Sequence, residues 1–292
     1  MKNESIASRI FDVFNVVFFA LLSITFLYPI LYIIAISFSE PRAIIEGRVY
    51  ALPVGFTTSA YKFIFRNSAT TNAIEFTALL TVLGVVFSLV VTAMAAYPLS
   101  RRGLKGGKAI MKIIVFTMYF SGGLIPTYMT VRGLGLFNSI WSLILPRLVD
   151  TFLLIIMVSF MRELPYELEE AAKVEGCSNI KTFLYVFLPL CVPVLATLTI
   201  FYAVSYWNTF QPALLYIQSN SRTTLQVRLR TVLSAFSDSM DQSALGTDIS
   251  GLVVPENVKG ATVVVAVLPI LVVYPLLQKY FIKGVAIGAI KG

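Results

Sequence analysis

The segment ELPYELEEAAKVEGCSNIKTF, from residue 163 to residue 183, is the most charged part of an otherwise apolar region of the chain. It carries five glutamates, although the whole chain of 292 residues is 57% hydrophobic and only 13% charged. Apolar runs flank it on both sides, LLIIMVSFM at 153–161 and LYVFLPLCVPVLATLTIFYAV at 184–204. This pattern predicts a polar insert that lies in water between two membrane-spanning segments.

The composition is typical of a polytopic membrane protein. The mean hydropathy is +0.82, whereas about a quarter of the residues of a soluble protein are charged. The net charge of +8 is assigned to membrane-flanking loops, because no basic stripe with interleaved aromatic residues indicates nucleic-acid binding. The chain contains no histidine, the commonest general base and metal ligand. We therefore predict no catalytic residues, no metal site and no cofactor bound by this chain.

Uncharged stretches predict six transmembrane helices, because a span needs about 20 apolar residues. The predicted spans are 13–39, 76–100, 113–131, 138–161, 182–206 and 260–278. The predicted fold class is therefore all-α, a polytopic membrane protein with six transmembrane helices.

Lysine and arginine in the short loops predict the orientation. The loop SRRGLKGGK at 100–108 has four basic residues and no acidic one, and basic residues also occur in the insert and near the C-terminus. Such residues accumulate on the cytoplasmic side. We predict a multi-pass protein of the cell membrane with both termini and the insert in the cytoplasm. The long loops at 38–74 and 207–259 are then extracellular.

Local signals in the insert predict a short helix followed by a second helix start. Pro165 suits the first position of a helix, Gly176 suits the left-handed residue that ends one, and Ser178 suits the cap of the next. Some glutamates are interpreted as support for the helix dipole and for solubility; these are Glu163, Glu167 and Glu169.

One face of the predicted helix carries Leu168, Ala171, Ala172 and Glu175, which are three or four residues apart. A narrow apolar knob of this kind fits a groove on another protein. Three hypotheses remain open from the residues alone: a solvated loop, a carboxylate metal site or a docking helix. The metal site is disfavoured, because helical dimetal sites use a Glu-x-x-His pair.

A longer pattern runs from the insert into the following span: Glu170-Ala171-Ala172, three residues, Gly176, nine residues, and VFLP at 186–189. It resembles the EAA loop of binding-protein-dependent ABC importers, EAA-x3-G-x9-I-x-L-P. Val186 stands where that family has isoleucine, and Glu175 where it has aspartate. Further segments resemble the carbohydrate subclass, in the branch for oligosaccharides in Gram-positive bacteria; they are 122–146, 207–217, 225–230 and 283–292.

The resemblance implies a permease subunit with the fold of type I ABC importers. The implied domains are 1–72 (first transmembrane helix and extracellular loop), 73–282 (core with the EAA coupling loop) and 283–292 (cytoplasmic tail). The implied partners are a second homologous permease, two cytoplasmic ATPase subunits that hold ATP and magnesium, an extracellular solute-binding lipoprotein, and a sugar or oligosaccharide. The ATPase-docking residues predicted from the helix face and the motif together are Glu167, Leu168, Glu170, Ala171, Ala172 and Gly176.

Arg147 and Asp150 are the ionisable residues well inside a predicted span. Such residues usually face a bundle interior or a wet cavity, so they form either a structural ion pair or the polar lining of a sugar pathway. Further candidates for that pathway combine aromatic faces with hydrogen-bonding groups; these are Tyr119, Tyr202, Trp207 and Asn208. Trp207 also suits an anchor at the membrane interface.

The resemblance therefore implies a permease of an ATP-driven sugar importer that works by alternating access. Pro189 and Pro193, early in the fifth span, are predicted hinge points. An ion-gradient-driven secondary transporter is the alternative, and it would be active without an ATPase. A membrane-bound enzyme is the third hypothesis, against which the lack of histidine argues.

Overall fold

The computed structural model describes residues 6–101, 103–219, 222–242 and 254–289. Within these ranges the secondary structure is helical, which confirms the predicted all-α class. The helices are α1 Ile6–Ser37, α2 Pro41–Ile45, α3 Ser59–Arg66, α4 Ser68–Ser100, α5 Gly107–Tyr119, α6 Leu124–Gly133, α7 Trp141–Ile144, α8 Thr151–Glu163, α9 Glu167–Val174, α10 Asn179–Lys181, α11 Leu188–Leu190, α12 Val192–Trp207, α13 Gln211–Tyr216, α14 Leu225–Gln242 and α15 Pro255–Ala289. A 3-10 turn, Leu145–Arg147, follows α7, and a π-helical segment, Thr182–Phe187, joins α10 to α11.

The six predicted spans correspond to helical segments of two kinds. Three stretches are long and apolar enough to cross a membrane as one helix: Ile10–Ser37, Ser68–Ser100 and Pro255–Val272. The other three predicted spans are helix pairs with a sharp bend. These pairs are Gly107–Tyr119 with Leu124–Gly133 (113°), Trp141–Arg147 with Thr151–Glu163 (52°), and Asn179–Leu190 with Val192–Trp207 (78°).

Glycine and proline account for the bends. Gly122 and Gly123 lie in the break before α6, Pro146 lies just before the 52° bend, and Pro189 and Pro193 lie on either side of the 78° bend. Proline removes a backbone donor and clashes with the preceding turn, so it interrupts a helix. The π-helical segment before Pro189 is the local distortion that such a disruption produces.

The chain divides into two compact units. The first comprises the described residues of Met1–Thr70 and Leu229–Leu268, and the second those of Thr71–Arg228 and Pro269–Gly292. The domain boundaries predicted at 72/73 and 282/283 stay a prediction. Residues 283–289 of the predicted tail continue helix α15, and residues 290–292 lie outside the described residues.

In the first unit, the buried Asn257 at the start of α15 binds the end of α1. Its side-chain amide donates to the carbonyl oxygens of Ile36 and Ser39, both at 2.9 Å. Carbonyls at a helix C-terminus have no partner within the helix, so Asn257 supplies one. A small apolar cluster of Ala60 and Ile64 from α3 with Val258 and Ala261 from α15 lies in the same unit.

The second unit contains the main core, to which α4, α8 and α12 contribute. The buried residues of α8 recur at helical spacing on one side; they are Leu153, Leu154, Met157, Val158 and Met161. Small and hydroxyl side chains of α4 let α12 approach closely. Ser88 and Thr92 of α4 hydrogen-bond the hydroxyls of Tyr206 and Tyr202 at 2.9 and 2.8 Å. This packing places α8 and α12 side by side around the site described next.

Candidate functional site

The predicted helix of the insert is α9, and its end is the turn expected at Gly176. Gly176 has a φ of +75°. Its N–H donates to the carbonyl of Lys173 at 3.0 Å, and the N–H of Cys177 donates to that of Ala172 at 2.9 Å. This pair of bonds is the Schellman motif. Ser178 then caps α10 by accepting from the N–H of Lys181, so both local predictions are confirmed.

The burial pattern divides the face that the sequence grouped together. Ala172 is buried and Leu168 is half-buried within the chain, whereas Ala171 is exposed. Glu167 and Glu170 are also exposed. The prediction that Leu168, Ala171 and Ala172 form one outward apolar knob is therefore wrong, because Ala172 packs inward. The docking role of the six predicted residues stays a prediction.

An apolar residue that the sequence reasoning missed extends the outward surface of α9. Val174 is 89% exposed and lies three residues after Ala171, within reach of the same face. Exposed Glu170, Ala171 and Val174 thus form a small surface, called here the outer face of α9. The signal available in the sequence was the spacing of three residues between Ala171 and Val174.

The prediction that Glu169 supports solubility is wrong. Its side chain is buried, and its two carboxylate oxygens accept from Arg101 at 3.2 Å and from Lys173 at 2.7 Å. Burial raises the pKa of the Glu169 carboxyl, but the hydrogen bonds and charges of Lys173 and Arg101 outweigh that effect and lower it from its ordinary value. The same pairing raises the pKa of Lys173. Glu169 is therefore an ionised structural group.

A cavity of about 530 Å³ opens beside the start of α8 and the second half of α12. Polar groups and aromatic faces line it together. The lining residues are Met118, Pro146, Arg147, Val149, Asp150, Thr151, Phe152, Leu153, Phe201, Tyr202, Ser205 and Tyr206. Its size is in the range of ligand pockets, so this cavity is the candidate substrate site of the chain.

Arg147 and Asp150 both line the cavity, but each has its own partners. Arg147 donates from Nη1 to Thr209 at 3.2 Å and from Nη2 to Ser205. Asp150 caps α8, since its Oδ1 accepts from the N–H of Leu153 at 3.0 Å. No ion pair joins Arg147 and Asp150 in the described chain, which contradicts the structural ion pair that their spacing allowed. Their place in a substrate pathway stays a prediction.

The other four pathway candidates separate in space. Tyr202 lines the cavity, and its hydroxyl accepts from the N–H of Asp150 at 3.2 Å. Trp207 is buried beside a different, apolar pocket, and Tyr119 is 76% exposed outside the cavity lining. Asn208 is exposed and accepts from Gln226 at 3.2 Å.

The sequence reasoning missed Ser205 and Tyr206. Both follow Tyr202 on α12 at helical spacing, which is the signal that was available. The ring of Tyr206 packs on α4 at Gly84, where a Cβ atom would lie 2.7 Å from the ring. Glycine is therefore required for this approach. Tyr206 also lies 5.9 Å below the guanidinium of Arg147, so it supports that side chain.

No group of three or more His, Cys, Asp or Glu side chains in the described part of the chain is arranged to hold a metal ion.

Known proteins match the chain over nearly its whole length. It is 42% identical to the protein LplC of Bacillus subtilis over 98% of this chain and 96% of LplC. It is 38% identical to the polygalacturonan/rhamnogalacturonan transport system permease protein YtcP of Bacillus subtilis, over 100% of both chains. No protein-family model matches the chain.

A solved structure shares the fold. A chain in the crystal structure of a bacterial ABC transporter involved in the import of the acidic polysaccharide alginate superposes with a TM-score of 0.88 and 31% identity, over 96% of this chain and 100% of that chain. Both the sequence and the arrangement of helices are thus shared with transport permeases. The chain is a multi-pass membrane protein and belongs to the family of permease subunits of ABC carbohydrate importers.

Proposed function

We propose that this permease translocates a sugar or oligosaccharide by alternating access and is coupled to cytoplasmic ATPase subunits through the loop 163–183. The observation that carries the proposal is the position of α9 between α8 and α12. Both of these helices line the cavity. A displacement of α9 that is not lost as rotation in place would therefore reach the cavity through both of these helices.

The outer face of α9 supports a docking role. Glu170, Ala171 and the 89% exposed Val174 lie on a helix of eight residues that short non-helical segments separate from α8 and α10. A small apolar centre beside an acidic residue suits a groove with basic edges on a soluble partner. The charge selects the partner and the register, and the apolar residues exclude water from the contact.

The bends in the spans support alternating access. The 78° bend at Cys191 lies between α9 and the cavity-lining part of α12. A bend at proline allows rigid helical pieces to change their angle without melting. We propose that ATP-driven closure of the ATPase subunits moves α9, and that the pieces on either side of this bend then open the cavity to the opposite side.

The assembly follows from the family. This non-catalytic chain pairs with a second homologous permease and with two ATPase subunits that hold ATP and magnesium, and an extracellular lipoprotein delivers the substrate. Both termini are proposed to lie in the cytoplasm of this cell-membrane complex, which the basic loops support. The loop 207–259 is the proposed contact for the binding protein, and its residues 220–221 and 243–253 lie outside the described residues.

The chemistry of the cavity supports a sugar as substrate. Arg147 supplies donors, Asp150 supplies an acceptor, and Tyr202 and Ser205 supply hydroxyls, while Phe152 offers an aromatic face. Two relatives are named for polysaccharides that include acidic ones. Arg147 is the cavity group that pairs with the carboxylate of an acidic sugar.

Uptake into vesicles that contain the complete importer tests this function. We expect uptake to require ATP and to persist when ionophores abolish ion gradients. Ala171→Trp, on the outer face of α9, is expected to prevent ATPase assembly, whereas Glu163→Gln, exposed at the end of α8, leaves assembly intact. Uptake without ATP that ionophores abolish would instead establish an ion-gradient-driven transporter and overturn the proposal.

A further inference from the structure

One arginine connects α9 to three other parts of the second unit. Arg101 follows the last residue of α4, and its side chain is only 14% exposed. Its Nη1 donates to Glu169 of α9 at 3.2 Å, and its Nη2 donates to the Met161 carbonyl in α8 at 2.9 Å. Its guanidinium carbon lies 4.2 Å from the ring centre of Phe187 in the π-helical segment. Four elements therefore meet at a single side chain.

The contact with Glu169 fixes the rotation of α9 about its own axis. One oxygen of Glu169 accepts from Arg101 and the other from Lys173, one turn further along α9. Hydrogen bonds between charged groups are directional and strong. The bond from Arg101 is the one of the two that joins α9 to another element. While it persists, Glu169 and Ala172 face the protein and the outer face of α9 points away from it.

The covalent connections of α9 lack such rigidity. Residues 164–166 before it and 175–178 after it are not helical. A push on the outer face can therefore rotate α9 in place rather than displace α8 and α12. A lateral contact between α9 and the end of the long helix α4 prevents α9 from rotating without moving its neighbours. Arg101 provides this contact by binding Glu169, which lies 68 positions later in the sequence.

We propose that Arg101 is a positioning residue for energy coupling. It holds α9 through Glu169 so that movement of α9 also moves the ends of α4 and α8. This role rests on the proposed function, because it presumes that an ATPase acts on α9. Arg101 contacts neither the proposed substrate cavity nor the outer face of α9.

A second arginine provides a matched control. Arg162 donates from Nη2 to the Leu99 carbonyl at 2.9 Å, so it also joins α8 to the end of α4. This bond does not involve α9. Each variant, Arg162→Gln or Arg101→Gln, removes one arginine–carbonyl bond between α8 and the end of α4. Only Arg101→Gln also removes a contact to α9.

The experiment measures substrate transported per ATP hydrolysed by the complete importer in proteoliposomes. Allosteric couplings are typically about 5–150-fold, and for Arg101→Gln we expect a loss of about tenfold in this ratio with ATPase assembly retained. Glu169→Gln is expected to lower the ratio in the same direction. Arg101→Lys, which keeps the charge, is expected to restore part of it. Arg162→Gln is expected to keep the wild-type ratio.

Each outcome decides the inference. If Arg101→Gln keeps the wild-type ratio, or if Arg162→Gln lowers it equally, Arg101 has no specific role in coupling. If Arg101→Gln does not assemble, Glu169→Gln decides in its place, and a wild-type ratio for that variant overturns the inference. The wild-type importer separates the two proposals: lack of ATP-dependent uptake there refutes the proposed function, whereas normal uptake with unaffected variants refutes only the role of Arg101.

Discussion

Replacing Gly176 by alanine is expected to weaken the turn that ends α9. The φ of Gly176 is +75°, and a Cβ atom there would meet no atom within 4 Å. The new methyl group therefore clashes with no neighbour. The free-energy cost of the substitution is that of holding alanine in the left-handed region, about 1–2 kcal/mol. That cost changes the equilibrium between the formed and the open turn by about 5–30-fold.

Opening the turn breaks two specific bonds. The N–H of Gly176 loses the Lys173 carbonyl, and the N–H of Cys177 loses the Ala172 carbonyl. Asparagine tolerates the left-handed region better than alanine does, and a β-branched residue tolerates it least. The expected order of function is therefore glycine, then asparagine, then alanine, then valine.

The assay is the affinity of the purified permease pair for its ATPase subunits, with ATP-dependent uptake measured alongside. Gly133→Ala is the matched control, because a Cβ at Gly133 also meets no atom within 4 Å and its backbone has no positive φ. We expect the control to bind as the wild type does. Gly176→Ala with wild-type affinity, or an asparagine variant weaker than the alanine variant, would refute the reasoning from backbone conformation.

Two further predictions concern charged groups. The pKa of Glu169 is lowered in the folded protein, so its stabilising effect is complete above the ordinary glutamate value of 4.5 and is lost as the pH falls through the folded value. Thermal unfolding from about pH 6 downwards should therefore show a steeper loss of stability for the wild type than for Glu169→Gln, and parallel curves would contradict this. For Arg147→Gln we expect uptake of a uronic-acid oligosaccharide to fall about tenfold more than uptake of a neutral one of equal length, because a hydrogen bond between charged groups contributes about 1.5–3 kcal/mol. Equal losses for both substrates would remove Arg147 from the recognition of acidic sugars.

Local features of this protein were predictable from its sequence. The six spans, the glycine turn at Gly176 and the cap at Ser178 each depend on residues within a few positions of one another. Hydrophobic run length and backbone preference act over that range. The EAA pattern likewise indicated the family from spacing within one segment.

The arrangement of side chains around the site depended on distant contacts. Arg147 binds Ser205, 58 positions away, and nothing near Arg147 in the sequence indicates that partner. The i, i+3 spacing instead suggested Asp150, which caps α8. In the same way, Glu169 looks like Glu163 and Glu167 in the sequence, and only the approach of Arg101 makes it a buried partner.

The order of the amino acids is enough to establish that the chain crosses the membrane, where its polar insert lies and how α9 ends. These properties follow from apolar transfer into lipid and from backbone dihedral preferences, both of which act locally. The folded arrangement was needed to establish which residues of α9 face outward and which side chains share the cavity. These depend on the packing of α4, α8 and α12, because burial and pairing of a charge are set by neighbours that the chain brings together only on folding.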